Sequence, residues 1–307
     1  MNQKGKMEKE CETAQISHIL LELQSCGIVA FRQDTFETIA FNKAALEMYD
    51  MTSIDNLTDV RGELLKRSFL HIKDQTPEEL LERLDQISET KEAITYEISV
   101  PHADGSIWYL HAEAKAIDLD DGITIVVHAL ANITERKLLE QKLRYLSETD
   151  SLTQLKNRGY GEQMIVEALQ QQNNGMFCLL DIDCFKQIND QYGHAIGDQV
   201  LRGVAVTLKN VFNEHDIIMR LGGDEFALFT SLCNTEKTAE PLIDIFFEEI
   251  NNLQRVNDEF PSITISMGIV FLDDTTHDFD TLYRNADAAM YQAKRTCKGT
   301  YNYYKKI

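Results

Sequence analysis

Leu221-Gly-Gly-Asp-Glu-Phe226 separates two apolar, partly β-branched runs, residues 216–221 and 226–231. This pattern predicts two strands joined by a hairpin whose turn contains the glycines. Asp224 and Glu225 then lie side by side at its tip. Two carboxylates next to residues without side chains offer hard oxygen ligands for Mg²⁺ and room for a phosphate group to approach the backbone. For this motif taken alone, an ordinary acidic turn is the alternative.

A second acidic segment lies upstream of the hairpin. Met176-Phe-Cys-Leu-Leu180 is a continuous apolar run of strand length, which predicts a buried strand, and Asp181-Ile-Asp183 follows it. A carboxylate at the end of a core strand is placed to meet the acids of the hairpin. The sequence therefore predicts one acidic site assembled from two segments.

The next segment, residues 185–201, has apolar and aromatic residues at helical spacing, interrupted between Gly193 and Gly197. It predicts a helix, a short loop and a second helix capped by Asp198. Asn189 has both donor and acceptor atoms, whereas Asp198 only accepts, so together they could read the edge of guanine. Taken singly, each has a simpler interpretation, as a helix-terminus residue for Asn189 and as a plain N-cap for Asp198.

Five segments in order carry a family resemblance: Asp-Ser-Leu-Thr-Gln-Leu-Lys-Asn-Arg at 150–158, then 181–198, 220–226, 266–268 and 286–294. Together they resemble the GGDEF family of diguanylate cyclases. The resemblance implies an α+β catalytic domain of the nucleotide-cyclase palm type, with a ferredoxin-like core, at residues 150–307. It also implies an enzyme that condenses two GTP molecules into cyclic di-GMP and two pyrophosphates.

The resemblance also implies roles for individual residues. The ligands expected for two Mg²⁺ ions in each half-site are Asp181, the backbone carbonyl of Ile182, Asp224 and Glu225, of which the last two are also the expected catalytic residues. Guanine is expected to contact Asn189 and Asp198. The remaining substrate-binding residues are Phe185 and His194 in the nucleotide pocket and Lys186, Lys294 and Lys298 near the triphosphate. Metals held in this way neutralise the triphosphate and activate a 3′-hydroxyl.

Three positions depart from the usual pattern of the family. Lys298 replaces an arginine, which keeps the charge but loses the bidentate fork, so we expect a weaker phosphate contact. Cys184 replaces an aromatic residue, and we expect it to be a buried packing cysteine. Asn213 replaces the arginine of a product-inhibition motif that ends at Asp216, so we expect little product inhibition through this surface.

The composition predicts a two-domain cytoplasmic protein. Its 307 residues, 43% of them apolar, suffice for two cores, and a net charge of −20 argues against nucleic acid or an anionic membrane as the main partner. The six cysteines show no paired spacing, which predicts a reduced protein without structural zinc. The first residues lack an apolar signal core, and the longest apolar stretch, around 123–133, is too short for a bilayer. We therefore expect no direct membrane insertion.

The first half predicts a separate domain at residues 15–133, after a flexible N-terminus at 1–14. Two strands, 28–31 and 38–41, precede a helix at 43–49 capped by Asn42. An amphipathic helix is predicted at 77–89. Three further strands are predicted at 96–100, 107–116 and 123–131, with turns at Asp104-Gly105 and Asp121-Gly122. This order resembles a PAS sensor domain, which has an antiparallel sheet.

The sequence does not identify a ligand for this PAS-like domain. Haem needs an axial ligand, but His71 is expected in a loop, and surface or packing roles are expected for the other histidines of this half, His18, His102, His111 and His128. No flavin-reactive cysteine motif is visible. A domain that only dimerises stays an open alternative.

Residues 134–149 are charged and predicted to be a helical linker, with Leu139, Leu143 and Leu146 at 4-3 spacing. The repeat is too short to identify a coiled coil, so a solvated connector helix is an open alternative. One GGDEF domain presents one nucleotide site, whereas cyclic di-GMP requires two bonds between two GTP molecules. We therefore expect a homodimer that the first domain regulates.

Two other functions remain open at this point. A non-catalytic GTP sensor or dimerisation scaffold would keep the site without turnover, and the altered segment Cys297-Lys298-Gly299 motivates it. A cyclase with relaxed base choice is the other alternative, and Asp198 argues against it.

Overall fold

The computed structural model describes residues 25–53, 60–67, 69–71, 82–120, 122–171, 174–256, 261–273 and 278–305. The chain divides into two compact units, Met1–Gln141 and Lys142–Ile307. Each unit has a sheet and a hydrophobic core of its own.

The first unit is an antiparallel sheet with helices. Its strands are β1 Gly27–Arg32, β2 Thr38–Phe41, β3 Phe69–His71, β4 Ile94–Pro101, β5 Ile107–Asp118 and β6 Thr124–Asn132. They are arranged in the order β2-β1-β6-β5-β4-β3. Its described helices are α1 Lys43–Met48, α2 Val60–Arg67 and α3 Ile87–Thr90. Alternate residues of β5, namely Leu110, Ala112 and Ala114, are buried in the core, because successive side chains of a strand point to opposite faces.

The five strands predicted for this half are confirmed. The helix predicted after Asn42 is also confirmed, and the Asn42 side chain accepts from Ala45 N at 3.0 Å and from Ile28 N at 2.8 Å. It therefore caps α1 and ties the helix to β1. The turn at Asp104-Gly105 is present, with Gly105 at φ +86°.

One expectation for this half is wrong. His71 does not lie in a loop but ends β3, an edge strand that pairs with β4. These three residues form a strand because they pair with a segment that is distant in the sequence. A run of three residues is too short to show the alternation of apolar and polar side chains by which a strand is predicted. The helix predicted at 77–89 lies partly outside the described residues; 82–85 is helical, Gln86 is a turn and α3 follows. The N-terminus at 1–14, His18 and Asp121 also lie outside the described residues.

The helix predicted at residues 134–149 is confirmed as α4, Thr134–Glu148. At its start Thr134 Oγ1 accepts from Tyr109 N at 2.8 Å, and Lys137 forms an ion pair with Glu97. Four leucines of this helix are between 54% and 57% exposed, namely Leu138, Leu139, Leu143 and Leu146. None of the helices in the described part of the chain has the length and apolar content that a membrane span requires.

The second unit is a mixed sheet with helices. Its strands are β7 Lys156–Asn157, β8 Met176–Ile182, β9 Ile217–Gly222, β10 Glu225–Thr230, β11 Ile265–Phe271 and β12 Tyr301–Tyr303. Its helices are α5 Arg158–Gln171, α6 Phe185–Tyr192, α7 His194–Val211, α8 Glu236–Val256 and α9 Phe279–Thr296. The strand order is β12-β11-β8-β10-β9-β7; the four central strands pair antiparallel with one another, whereas the edge strands β12 and β7 pair parallel with β11 and β9.

The apolar run that predicts β8 is explained by burial on both faces. Cys178 and Leu180 pack into one core cluster, while Phe177 and Leu179 pack into a second cluster on the opposite face. A strand covered on both sides reads as a continuous apolar run. The first acid after this run, Asp181, is therefore the point where β8 reaches the edge of the core.

The predicted start of the second helix after β8 is wrong. Gly193, at φ +86°, is the N-cap of α7, which begins at His194. Asp198 is therefore an interior residue of α7 and does not cap it. A glycine in this conformation reverses the chain in a single residue, so no longer loop is needed between α6 and α7.

Candidate active site

The acidic hairpin consists of β9 and β10, which pair antiparallel. Gly222 and Gly223 form its turn with φ angles of +147° and +54°, which residues with a side chain rarely adopt. A Cβ at either position would meet no atom within 4 Å. Backbone conformation, and not crowding, therefore requires glycine here, and the turn stays open to an approaching group.

Asp181 and Glu225 are cross-strand neighbours, because Glu225 of β10 pairs with Asp181 of β8. Asp224 adjoins them, and its backbone carbonyl accepts from Ile182 N at 3.3 Å. On the other side of β8, Ser266 of β11 pairs with Asp181. The two acidic segments of the sequence thus lie together at one end of two adjacent strands.

Burial and mutual repulsion both act on these carboxylates. Burial raises the pKa of Asp181, and its ion pair with Lys294 Nζ, at 2.7 Å, opposes that rise. Burial also raises the pKa of Glu225, and the negative charges of Asp181 and Asp224 raise it further. The cluster carries more negative charge than Lys294 compensates, so a bound cation would stabilise it.

The donor set fits Mg²⁺. Mg²⁺ prefers oxygen ligands, retains several waters and is commonly held through one or two carboxylates together with phosphate oxygens. Asp181, Asp224, Glu225 and the Ile182 carbonyl supply oxygen ligands only. Across the residues that the structure describes, no group of three His, Cys, Asp or Glu side chains is placed to hold a metal ion. A site completed by water and phosphate does not need one.

Asp183 has a structural role that the sequence did not separate from that of Asp181. It is 6% exposed and accepts from Thr264 Oγ1 and Ser266 Oγ, both at 2.8 Å. It also accepts from the Gly299 backbone N at 3.0 Å, which holds the segment before β12 against the end of β8. The sequence contains one signal for this role of Asp183: Thr264 and Ser266 are hydroxyl residues at alternate positions beside a buried strand. Buried hydroxyl groups need hydrogen-bond partners, and a nearby carboxylate can supply them.

The altered segment after α9 contacts the start of α6. Lys298 Nζ lies 3.0 Å from Cys184 Sγ, and this contact, with the nearby acids, raises the pKa of Lys298. The expectation of a buried Cys184 is wrong, since it is exposed and has φ +57° at the N-cap of α6. Cys184 lies in the turn between β8 and α6 and inside neither element, so it is not packed in the core.

Asn189 and Phe185 pack against Gly197, where α6 meets α7. A Cβ at Gly197 would lie 1.9 Å from Asn189 Oδ1 and 3.3 Å from Phe185 Cζ, so only glycine leaves room for both side chains. Asp198 follows directly. Among the described residues, neither Asn189 nor Asp198 has a side-chain hydrogen-bond partner, so their polar atoms are available to a ligand.

The other predicted substrate residues are less constrained. Lys186 and His194 are exposed on α6 and α7, and the described residues show no hydrogen bond or ion pair between them and the acids.

Arg220 is a further residue of the site, to which the sequence alone assigned no role. Its guanidinium donates to Asp150 and to the Gly223 carbonyl in the hairpin turn, the latter at 2.7 Å. Both Asp150 and Arg220 lie in the motifs that carried the resemblance.

Comparison with known proteins agrees with this geometry. The family model described as "Diguanylate cyclase, GGDEF domain" matches residues 147–300. The chain is 28% identical over 241 residues to the probable diguanylate cyclase DgcE of Escherichia coli (strain K12), covering 76% of this chain and 22% of that protein. It is 33% identical over 203 residues to the diguanylate cyclase DgcM of the same strain, covering 62% and 47%. The chain thus spans less than half the length of either relative.

Among solved structures, the chain is similar to the coiled coil and GGDEF domain of DgcB from Caulobacter crescentus, in complex with c-di-GMP. The identity is 28% and the TM-score 0.49, over 55% of this chain and 91% of that one. The family match covers half of the chain, from the end of α4 to the segment before β12, and it includes every element that presents a candidate site residue. The chain therefore belongs to the GGDEF family of diguanylate cyclase domains.

Proposed function

We propose that this protein is a diguanylate cyclase, which condenses two GTP molecules into cyclic di-GMP and two pyrophosphates. The observation that carries the proposal is the carboxylate cluster of Asp181, Asp224 and Glu225 beside Lys294, at the open end of β8 and β10. The order of the four central strands supports a palm-type domain with a ferredoxin-like core. We retain 150–307 as the bounds of this domain.

In this proposal the acids bind two Mg²⁺ ions in each half-site, through Asp181, the Ile182 carbonyl, Asp224 and Glu225. Bound Mg²⁺ supplies charge neutralisation of the triphosphate, polarisation of the α-phosphorus and a lower pKa for the attacking 3′-hydroxyl. The protein positions these groups. Lys294 fixes Asp181 through their ion pair, and the paired strands hold Glu225 opposite it.

The nucleotide base is proposed to lie where α6 meets α7. Asn189 can donate and accept, Asp198 can accept from the ring N–H and amino group of guanine, and Phe185 supplies an apolar wall. We assign His194 to the same pocket and the triphosphate to the basic side chains Lys186, Lys294 and Lys298. Guanine should be preferred over adenine, because adenine does not match these donors and acceptors.

Two chains are proposed to meet face to face, since each chain offers one nucleotide site. The exposed leucines of α4 would pair between chains, and the first unit, as a PAS-like sensor at residues 15–133, would set how often the half-sites meet. We keep 134–149 as the linker. We further propose weak product inhibition, because Asn213 replaces the arginine and Asp216 accepts from the backbone N of Asn213 itself.

A direct test is incubation of the purified protein with GTP and Mg²⁺, followed by identification of the products by mass. Cyclic di-GMP and pyrophosphate in a 1:2 ratio are expected, and ATP in place of GTP is the matched control. A scaffold that only binds GTP is the second candidate, favoured by the contact of Lys298 with Cys184 in place of a free cation. Saturable GTP binding without any product would establish that alternative.

A further inference from the structure

The first unit contains a cavity between its sheet and helices. Its apolar walls are Phe31, Leu64, Leu84, Ile98 and Val126. The space open to the centres of water molecules is about 40 Å³. One water needs about 10–15 Å³ on this measure, so the cavity accepts about three waters or a solute of about four to six heavy atoms.

Tyr49 adds a polar residue to the wall of this cavity. The residue lines the cavity and is 3% exposed, and the described residues offer its hydroxyl no hydrogen-bond partner. Burial raises the pKa of Tyr49, so the hydroxyl keeps its proton at neutral pH. The hydroxyl can therefore donate to a solute bound in the cavity.

A second polar group of the wall is His128. Its Nδ1 lies 2.7 Å from the Tyr96 hydroxyl. Burial lowers the pKa of His128 to about 4, and the positive charge of Arg61 lowers it further. The imidazole is therefore neutral at pH 7. When Tyr96 donates to Nδ1, the Nε2–H of His128 is left as a donor for a ligand.

Among the described residues that line the cavity, Arg61 of α2 is the charged one, and the others are apolar or neutral. Its side chain is 20% exposed, and Nη1 pairs at 2.5 Å with Asp85, whose side chain is 60% exposed. An ion pair with so exposed a partner is weak. The guanidinium has five N–H donors and can hold a second carboxylate while keeping the first.

We propose that this cavity binds a short-chain monocarboxylate of about two to four carbon atoms, a size taken from its volume. The carboxylate is held by Arg61 and the Tyr49 hydroxyl, and the alkyl part contacts Leu64, Leu84 and Val126. Arg61 supplies one positive charge, part of which Asp85 already compensates, so a monoanion is matched better than a phosphate dianion would be. This site goes beyond the proposed cyclase activity, and its test does not depend on turnover.

The full-length protein offers a selective signal for the test. Trp108 in β5 is the only tryptophan of the chain, so its fluorescence reports unfolding of the first unit. Titration calorimetry and Trp108 thermal unfolding are measured with acetate, propionate and butyrate. Propionamide is the matched uncharged probe, and octanoate is the oversized one. We expect saturable binding of at least one short carboxylate with a raised Tm, no binding of propionamide and weaker binding of octanoate.

Variants identify the residues that hold the carboxylate. Arg61→Gln should weaken binding by about tenfold or more, and Tyr49→Phe by about threefold to tenfold, as expected for lost charge-assisted and neutral hydrogen bonds. Arg67→Gln is the matched control, because Arg67 lies on the same helix, pairs with Glu63 and does not line the cavity.

Three results would overturn the proposal: equal binding of propionamide, unchanged affinity in folded Arg61→Gln, or no saturable binding of any of the three carboxylates to the folded wild type. If Arg61→Gln does not fold, Tyr49→Phe decides, since it removes one oxygen and little volume. Unchanged affinity in that variant would also overturn the proposal.

Discussion

Asp150 and Arg220 are joined by two hydrogen bonds, from Arg220 Nη1 to both carboxylate oxygens at 3.1 and 3.2 Å. The same guanidinium donates to the Gly223 carbonyl at 2.7 and 3.1 Å. Asp150 also accepts from Thr153 N at 2.9 Å. Burial alone would raise the pKa of Asp150, but the bonds from Thr153 and Arg220 outweigh it and lower that pKa. Arg220 thus fastens the turn that carries the acidic motif to the start of the second unit.

Breaking this link should destabilise the second unit and reduce turnover. Asp150→Ala is expected to lower the free energy of unfolding by about 2 kcal/mol, because it leaves the mostly buried guanidinium of Arg220 without its carboxylate partner. The turnover number should fall more than KM rises, since the turn carries Asp224. Urea denaturation and steady-state kinetics measure both effects. Arg284→Ala, whose hydrogen bonds stay within its own helix, is the control and should change neither.

Neutralising the acidic pair should abolish synthesis without unfolding the protein. Asp224→Asn with Glu225→Gln removes charge needed to bind cations, and loss of about a thousandfold or more in turnover is expected. Stability should hold or rise, because repulsion with Asp181 is relieved. Product mass and circular dichroism report the two effects. Asp287→Asn, an exposed acid in the electrostatic environment of Glu225, is the matched control. Near-parental synthesis by the double variant would remove the catalytic assignment.

A methyl group at Gly197 should damage base recognition. The added Cβ would lie 1.9 Å from Asn189 Oδ1, so Gly197→Ala must displace that side chain. We expect a higher KM for GTP and a reduced GTP:ATP preference, as for Asn189→Ala and Asp198→Ala. Gly159→Ala is the control, because the nearest atom to its Cβ is 3.8 Å away. A parental GTP:ATP ratio in all three variants would locate base reading elsewhere.

Charge on the exposed leucines of α4 should weaken self-association. Leu139 and Leu143 are 55% and 57% exposed, and burying a glutamate between two chains is unfavourable. Leu139→Glu with Leu143→Glu should shift the dimer to monomer in sedimentation experiments and lower specific activity at a given concentration. Gln141→Glu adds charge at an exposed position between them and is the control. Constant specific activity on dilution of a proven monomer would contradict the two-chain mechanism.

The first unit should lose stability in mild acid through His128. Its pKa is lowered from 6.5 to about 4, so the fold favours the neutral imidazole, and the groups around it are Tyr96, Tyr49 and Arg61. The contribution is complete above pH 6.5 and is lost as the pH falls from there towards 4, by about 3 kcal/mol. Urea titrations followed by Trp108 fluorescence measure it. His128→Gln should flatten this dependence, while His111→Gln should leave it unchanged.

Local patterns were enough to predict the elements of the site. The glycines at 222 and 223 indicate a turn because their positive φ angles exclude most other residues, and the run before Asp181 indicates a strand buried on both faces. Five ordered motifs then identified the family. Local spacing was misleading where a single residue changed the path of the chain, as Gly193 did by starting α7 four residues before Asp198.

Side-chain type and local backbone preference belong to each residue, so the amino-acid sequence is enough to identify the residues that are chemically able to act. The partners of these residues depend on how the whole unit folds. Asp181 and Asp183 are two positions apart, yet one pairs with Glu225 and Lys294 while the other is enclosed by Thr264, Ser266 and Gly299. Asp150 and Arg220 meet across 70 positions of chain. Such contacts depend on strand register and on loop closure over the whole unit, which no short pattern encodes.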